Sequence, residues 1–129
     1  VDYDVVEPSN LNRQQYYIKH IGTKKTTAMA ELLSNINPYC KFTPYHIRAD
    51  KHNIVPLAEQ ADIVIEAVDV AETKAMIAES ILTNFKDKVV ICASGMAGYD
   101  DSNLITTQKI NDRLYLCGDR INEAAPMRG

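Results

Sequence analysis

Glycine and proline are scarce, five of each in 129 residues. So few exclude a fibrous repeat, and with 46% apolar and 24% charged side chains the chain is not a disordered tail. Cysteine is scarcer still. Cys40, Cys92 and Cys117 are too scattered for a C-x-x-C metal knuckle and too few for a disulfide framework. That usage points to a reducing compartment, and the cytoplasm is the expected location. No run of Lys and Arg reaches three residues, and 14 basic against 17 acidic side chains leave a formal charge of −3. Neither a nucleic-acid nor a membrane partner is expected from that balance. The longest apolar stretches, such as residues 63–65 and 89–93, fall far short of the roughly 18–20 residues that span a bilayer. No charged-then-apolar leader opens the sequence, so nothing in it directs secretion.

What is there fits one ordinary core, and residues 1–129 are expected to form a single domain. Residues 1–6 read as the end of a strand that breaks at Pro8, since proline cannot extend a ladder and restricts the residue before it. A short aromatic segment over 14–21 reads as helical, and Gly22 punctuates it. Ala28, Met29, Leu32, Leu33 and Ile36 recur at three-to-four spacing, which predicts a helix over 24–36 ended by Asn37-Pro38. Residues 41–48 alternate as a strand would, and 54–60 supply a short helix. The β-branched run 63–68 follows, bounded by Asp62 and Asp69. Ala71, Ala75, Ala78, Leu82 and Phe85 then mark a second long amphipathic helix, and 88–94 another apolar strand.

Strands apolar on both faces suit a parallel sheet with helices on both faces. After Gly95-Met-Ala-Gly98 the pattern changes, and 105–110 with 114–117, joined through Asn111-Asp112, predict an antiparallel pair near the C-terminus. The expected class is α/β with a Rossmann-like, mostly parallel sheet. Ligands of such a sheet bind beyond the carboxyl ends of its strands.

Acidic residues close two of those strands. Asp2 and Asp4 stand at the end of the first, and Asp69 follows 63–68. Such a carboxylate can accept hydrogen bonds from ribose hydroxyls or hold Mg²⁺. It can equally cap a helix, as Asp69 would for one beginning at Val70. The turn after the first strand is more specific, because it crowds Asn10, Asn12, Arg13, Gln14 and Gln15 together. A guanidinium among amides suits polyphosphate oxygens. Lys24 and Lys25 open the next helix, where cations oppose the macrodipole. A negative ligand at that terminus would remove the conflict; two solvated lysines are the plainer alternative. His20, His46 and His52 lack metal-ligand spacing, and Cys92 reads as a small buried side chain.

The run D-Y-D-V-V-E-P-S-N-L-N-R-Q-Q, then G-T-K-K, then E-A-V-D, resembles the ThiF/MoeB/HesA superfamily of ubiquitin-activating-type adenylyltransferases. A-S-G-M-A-G-Y-D, L-Y-L-C-G-D and E-A-A-P look most like the ThiF-type proteins of thiamine biosynthesis. The resemblance implies ATP-dependent adenylation of the Gly-Gly tail of a ubiquitin-like sulfur-carrier protein by a homodimeric enzyme. It implies that Asp2 binds the ribose, that Asn10, Arg13 and Lys25 contact the phosphates with Gln14 in support, and that Asp69 positions Mg²⁺. Arg13, Lys25 and Asp69 then carry the catalysis, and the loop of residues 95–98 lies beside the path of the carrier tail.

Two departures from the family pattern stand out. No G-x-G-x-x-G is present, and the helices that follow A-A-P in the family are missing. The chain therefore reads as an internal piece, without the N-terminal βα unit, of a longer enzyme and inactive alone. The zinc-binding C-x-x-C pairs of many relatives are also missing, so no zinc is expected. A truncated, non-catalytic partner-binding homologue is the alternative, as is the molybdopterin branch. A nicotinamide-dependent oxidoreductase shares the fold but gives no reason for S-N-L-N-R-Q.

Overall fold

Strands β1 (Ile63–Glu66), β2 (Val89–Ala93), β3 (Thr106–Asn111) and β4 (Leu114–Gly118) form one sheet in the order β1-β2-β4-β3 in the computed structural model, which describes residues 1–94 and 101–120. The chain divides into two units, Val1–Arg48 and Ala49–Gly129. The sheet lies in the second. There β1 and β2 run parallel, from Ile63 opposite Val89 to Glu66 opposite Cys92. Strand β4 adds in parallel to β2, and β3 closes the edge antiparallel, with a register shift between Lys109 and Asn111. The expected α/β class, mostly parallel with one antiparallel pair, is borne out.

Side-chain alternation decides what these strands bury. Helices α2 (Ile54–Ala58) and α3 (Ala71–Asn84) pack with the sheet around Ile54, Ala58, Ile77, Ile81, Val90 and Cys92. In β1 the inward positions are Val64 and Glu66, while Ile63 and Ile65 remain 55% and 70% exposed. Of the side chains whose spacing predicts α3, Ala78, Leu82 and Phe85 pack on the core while Ala71 and Ala75 are exposed; the core face is centred on Ile77 and Ile81, which that spacing leaves out.

Two cations distant in sequence close the helix ends. Lys88 donates to the carbonyls of Glu59 (2.9 Å) and Ala61 (2.6 Å), just past α2, and lies over the Phe85 ring. Arg113, in the turn between β3 and β4, donates to the carbonyls of Leu82 and Phe85 at the end of α3. Positive charge there satisfies orphan carbonyls and complements the helix dipole. Arg113→Met is expected to cost about 1–2 kcal/mol. A urea midpoint that does not move would show that water serves those carbonyls equally well.

The first unit is built on α1 (Lys25–Ile36), which buries Thr26 and Ala28 and stops at Asn37 before Pro38. Gly22 adopts φ +81°, a left-handed turn that a side chain would strain. That turn lets residues 22–25 double back on 4–6, through the Gly22 N–H to Val6 carbonyl and Val6 N–H to Thr23 carbonyl bonds, both 2.8 Å.

Three expectations for this unit are corrected. Residues 1–6 form no strand; Val5 alone makes an antiparallel bridge, to Lys24. Residues 41–48 form none either. The Asp2 N–H donates to the Tyr45 carbonyl at 3.1 Å, and an isolated bond is not a ladder. Within 14–21 the helical part is a single 3₁₀ turn, Ile18–His20. The His20 Nδ1 accepts the Tyr17 N–H at 3.0 Å, closing a local turn where a helix nucleus would have to form. The loop of residues 95–98 and the A-A-P segment lie outside the described residues. Among the described residues no helix is long and apolar enough to cross a membrane.

Candidate functional site

In the first unit a cleft of about 220 Å³ opens beside the first turn of α1. Asp2, Lys25 and Thr26 supply its polar lining, and Val1, Tyr16, Met29 and Phe42 its apolar wall. Two residues assigned from the sequence to one ligand, Asp2 and Lys25, therefore do face a common space. The volume is below the roughly 300–1,000 Å³ of whole-ligand pockets, so it accommodates part of such a ligand.

Lys25 is the first residue of α1, and its ammonium lies 2.9 Å from the Asp4 carboxylate. The conflict between lysines and the helix dipole is thus relieved within the chain, by Asp4. The lysine side chain is only 13% exposed against 47% for Asp4. Burial pulls the ammonium down. The hydrogen bond from Lys25 to Asp4 and the charges of Asp4 and Asp2 outweigh that pull and hold Lys25 above the ordinary lysine value. Asp2 Oδ1 accepts the Asp4 N–H at 2.8 Å, which fixes the D-x-D turn. Tyr16 is raised too, by burial first and by the Asp2 charge second, against an opposing pull from Lys25.

Both shifts act on stability with one sign. A raised lysine and a raised phenol hold their protons more tightly folded than unfolded, so their contribution is intact below their ordinary values. It is lost as pH rises through them, above roughly pH 10. Unfolding midpoints are expected to fall as pH rises above about 10, and less steeply in Tyr16→Phe. A midpoint that climbs over that range would contradict the cleft's electrostatics.

The turn of residues 8–15 uses its polar groups differently. Asn10 is 7% exposed, and its Oδ1 accepts the Glu7 N–H at 3.0 Å, bracing the 3₁₀ turn Pro8–Asn10. Exposed Arg13 donates to the Ser9 carbonyl (3.0 Å) and the Asn12 side chain (2.9 Å). Gln14 is half-buried, its N–H bonded to the Asn10 carbonyl. None of these three lines the cleft.

Asp69, in the second unit, is exposed just beyond the carboxyl end of β1. The N-cap of α3 is Val70, and no side chain caps it, so the capping role open to Asp69 is not the one it takes. Beside it stands an arrangement that sequence reasoning missed. The Glu66 carboxylate, fully buried, accepts from Lys74 at 3.0 Å and from the Val68 N–H at 2.8 Å. Tyr16 and Phe42 were missed as cleft residues; Asp4 was singled out as a strand-end carboxylate, but its pairing with Lys25 was not foreseen. Burial first and the Glu66 charge second push the Cys92 thiol up, which suits a packing residue and not a nucleophile. Among the described residues no group of three or more His, Cys, Asp and Glu gathers to hold a metal.

The chain matches the model of the ThiF family over residues 1–126. It is 31% identical over 99 residues to "Adenylyltransferase and sulfurtransferase MOCS3" of Danio rerio, covering 76% of this chain and 22% of that protein. It is 35% identical over 78 residues to "SAMP-activating enzyme E1" of Haloferax volcanii, covering 60% and 29%. The chain thus spans less than a third of the length of these relatives. Among solved structures, the E. coli tRNA N6-threonylcarbamoyladenosine dehydratase TcdA superposes with a TM-score of 0.81 at 22% identity, over 98% of this chain and 66% of that one. Its complex with AMP gives 0.76 at 27% identity, over 84% and 44%. The fold expected from strand and helix spacing is thus one already seen, and with the matched span the conclusion is direct: the chain belongs to the ThiF family, within the ThiF/MoeB superfamily.

Proposed function

We propose that the protein carrying this chain adenylates the C-terminal glycine carboxylate of a ubiquitin-like sulfur-carrier protein with ATP, releasing pyrophosphate. One observation carries the reading: in a ThiF-family chain, Asp2 and Lys25 line the same cleft. The names of the MOCS3 and SAMP-activating relatives support both the adenylyl transfer and the kind of acceptor.

The chemistry needs no protein base. A C-terminal carboxyl has a pKa of about 3.5, so the attacking oxygen is already ionised at neutral pH. That oxygen forms a bond to the α-phosphorus while the bond from that phosphorus to the bridging oxygen breaks, and pyrophosphate leaves with the electron pair. The obstacle is electrostatic, an anion approaching a polyanion. In this reading Asp2 accepts from the ribose hydroxyls, Asn10, Arg13 and Lys25 serve the phosphates, and Gln14 supports them. Asp69 suits Mg²⁺, which takes one or two protein carboxylates and completes its shell with water and phosphate oxygens. When bound, the ion would neutralise phosphate charge.

The finer assignments belong to the same proposal. Residues 1–129 are read as one incomplete domain of a cytoplasmic homodimer. The segments A-S-G-M-A-G-Y-D and L-Y-L-C-G-D support a thiamine-type carrier. A relative described as a probable molybdopterin-synthase adenylyltransferase, from Porphyra purpurea, favours the molybdopterin branch as the second reading. The isolated 129 residues, without a G-x-G-x-x-G phosphate loop, are expected to bind ATP weakly and to be inactive.

Exchange of labelled pyrophosphate into ATP by the intact protein tests the activity, with each carrier type supplied separately. Exchange that appears only with a Gly-Gly-ended carrier is expected. No exchange with any such carrier would refute the adenylyltransferase and leave the partner-binding homologue.

A further inference from the structure

We infer that Lys74 is a positioning residue whose ammonium ties the β1–α3 turn to the carboxyl end of β2, fixing the backbone from which Asp69 projects. The inference rests on the reading that Asp69 takes part in adenylation.

Glu66 is the last residue of β1 and its side chain is wholly buried, opposite Cys92 of the apolar cluster on β2. Its carboxylate receives Lys74 Nζ on both oxygens, at 3.0 and 3.3 Å, and the Val68 N–H on Oε1 at 2.8 Å. The same ammonium donates to the carbonyl of Ala93, the last residue of β2, at 2.9 Å. One lysine in the first turn of α3 therefore grips the ends of both neighbouring parallel strands.

Core stability alone does not call for this pair. A well-packed apolar pair of the same volume usually serves a core as well or better, because removing two charges from water is costly. What the pair supplies is direction. The N-cap of α3 is Val70, whose side chain cannot fasten the turn of residues 67–69 by a capping bond. The Glu66–Val68 bond takes that place, one residue before Asp69. Lys74 in turn holds the carboxylate in the orientation that makes the bond, with Ala93 as its fixed reference. A carboxylate presented from a loose turn would be displaced by about an ångström, enough to cost on the order of 10²-fold in a reaction that depends on placement.

The test uses the intact protein and the variant Glu66→Gln/Lys74→Met. Both charges leave together and the side-chain shapes stay, so no lone carboxylate is left buried. Three results are expected. Unfolding stays cooperative, the Val68 amide exchanges with solvent about tenfold faster, and kcat for carrier-dependent exchange falls roughly 10–100-fold while KM for ATP stays within about threefold. A folded double variant with kcat within about twofold of wild type, or with unchanged Val68 protection, overturns the inference. Should the double variant not fold, Lys74→Arg decides. It keeps the charge but not the three-donor geometry, and kcat is expected to drop about fivefold or more at an unchanged melting temperature; wild-type kcat there overturns the inference. If the wild-type protein shows no carrier-dependent exchange, the functional reading fails, whereas the Val68 amide still judges the clamp by itself.

Discussion

Lys25→Ala in the intact protein is expected to lower carrier-dependent pyrophosphate exchange on the order of 10²–10³-fold, the loss that follows removal of one preorganised charge-stabilising group. Two effects combine. The cation facing the cleft disappears, and the Asp4 carboxylate, 2.9 Å from it and 47% exposed, is left without its partner beside an incoming polyanion. Adding Asp4→Ala to Lys25→Ala removes the second effect. The double variant should recover roughly 1 kcal/mol or more, about fivefold, as contacting residues in one network do. Arg13→Ala and Asp69→Ala are expected in the same range as Lys25→Ala. Exchange within about twofold of wild type for any of the three would remove that residue from the mechanism. Equal rates for the single and double variants at Lys25 and Asp4 would show that the freed carboxylate does not face the nucleotide.

Ile81→Ala carries the largest expected cost to stability. Ile81 lies on α3, is fully buried, and belongs to the cluster that joins α2, α3, β1 and β2. Deleting three carbons there removes apolar burial and leaves a cavity, for a loss of roughly 3 kcal/mol within a usual span of 2–5. A domain typically holds only about 5–15 kcal/mol in total, so the urea midpoint should move far while the slope m stays constant. A loss under about 1 kcal/mol would mean that α3 does not seat on the sheet through this residue.

The parts of the fold legible in the sequence were those in which each element specifies itself. Helix α1 and helix α3 announced themselves through apolar side chains every three or four residues. Strands β1, β2 and β4 did so through β-branched and aliphatic runs, and the Asn111-Asp112 turn through its residue types. Residues 1–6 and 41–48 carry comparable alternation but form no strands, because pairing depends on a neighbour and not on the segment itself. The segment 14–21 shows the same limit at short range, where one bond from the Tyr17 N–H to the His20 side chain sets a 3₁₀ turn.

The site divides in a similar way. Asp2 was picked out as an acidic residue closing a first strand and Lys25 as a cation at a helix start; the strand does not form, but the two side chains share a cleft. The structural use of Asn10, whose amide oxygen accepts the Glu7 N–H and braces the turn, was not legible in the sequence. The Asp4–Lys25 pair spans 21 positions, and the Lys74 contacts to Glu66 and Ala93 span 8 and 19. No local pattern encodes contacts of that range. The carboxylate of Glu66 looked like one letter of E-A-V-D, and only the fold shows it to be the most deeply buried charge among the described residues of the second unit.

A crystal structure of the intact protein with a non-hydrolysable ATP analogue and Mg²⁺ decides whether these side chains meet one nucleotide. The ribose hydroxyls are expected within hydrogen-bond reach of Asp2, with Lys25 and Arg13 on the phosphates and Asp69 turned to the metal. A nucleotide seated away from the α1 cleft, with Lys25 still held by Asp4 and Asp69 facing open water, would contradict that placement.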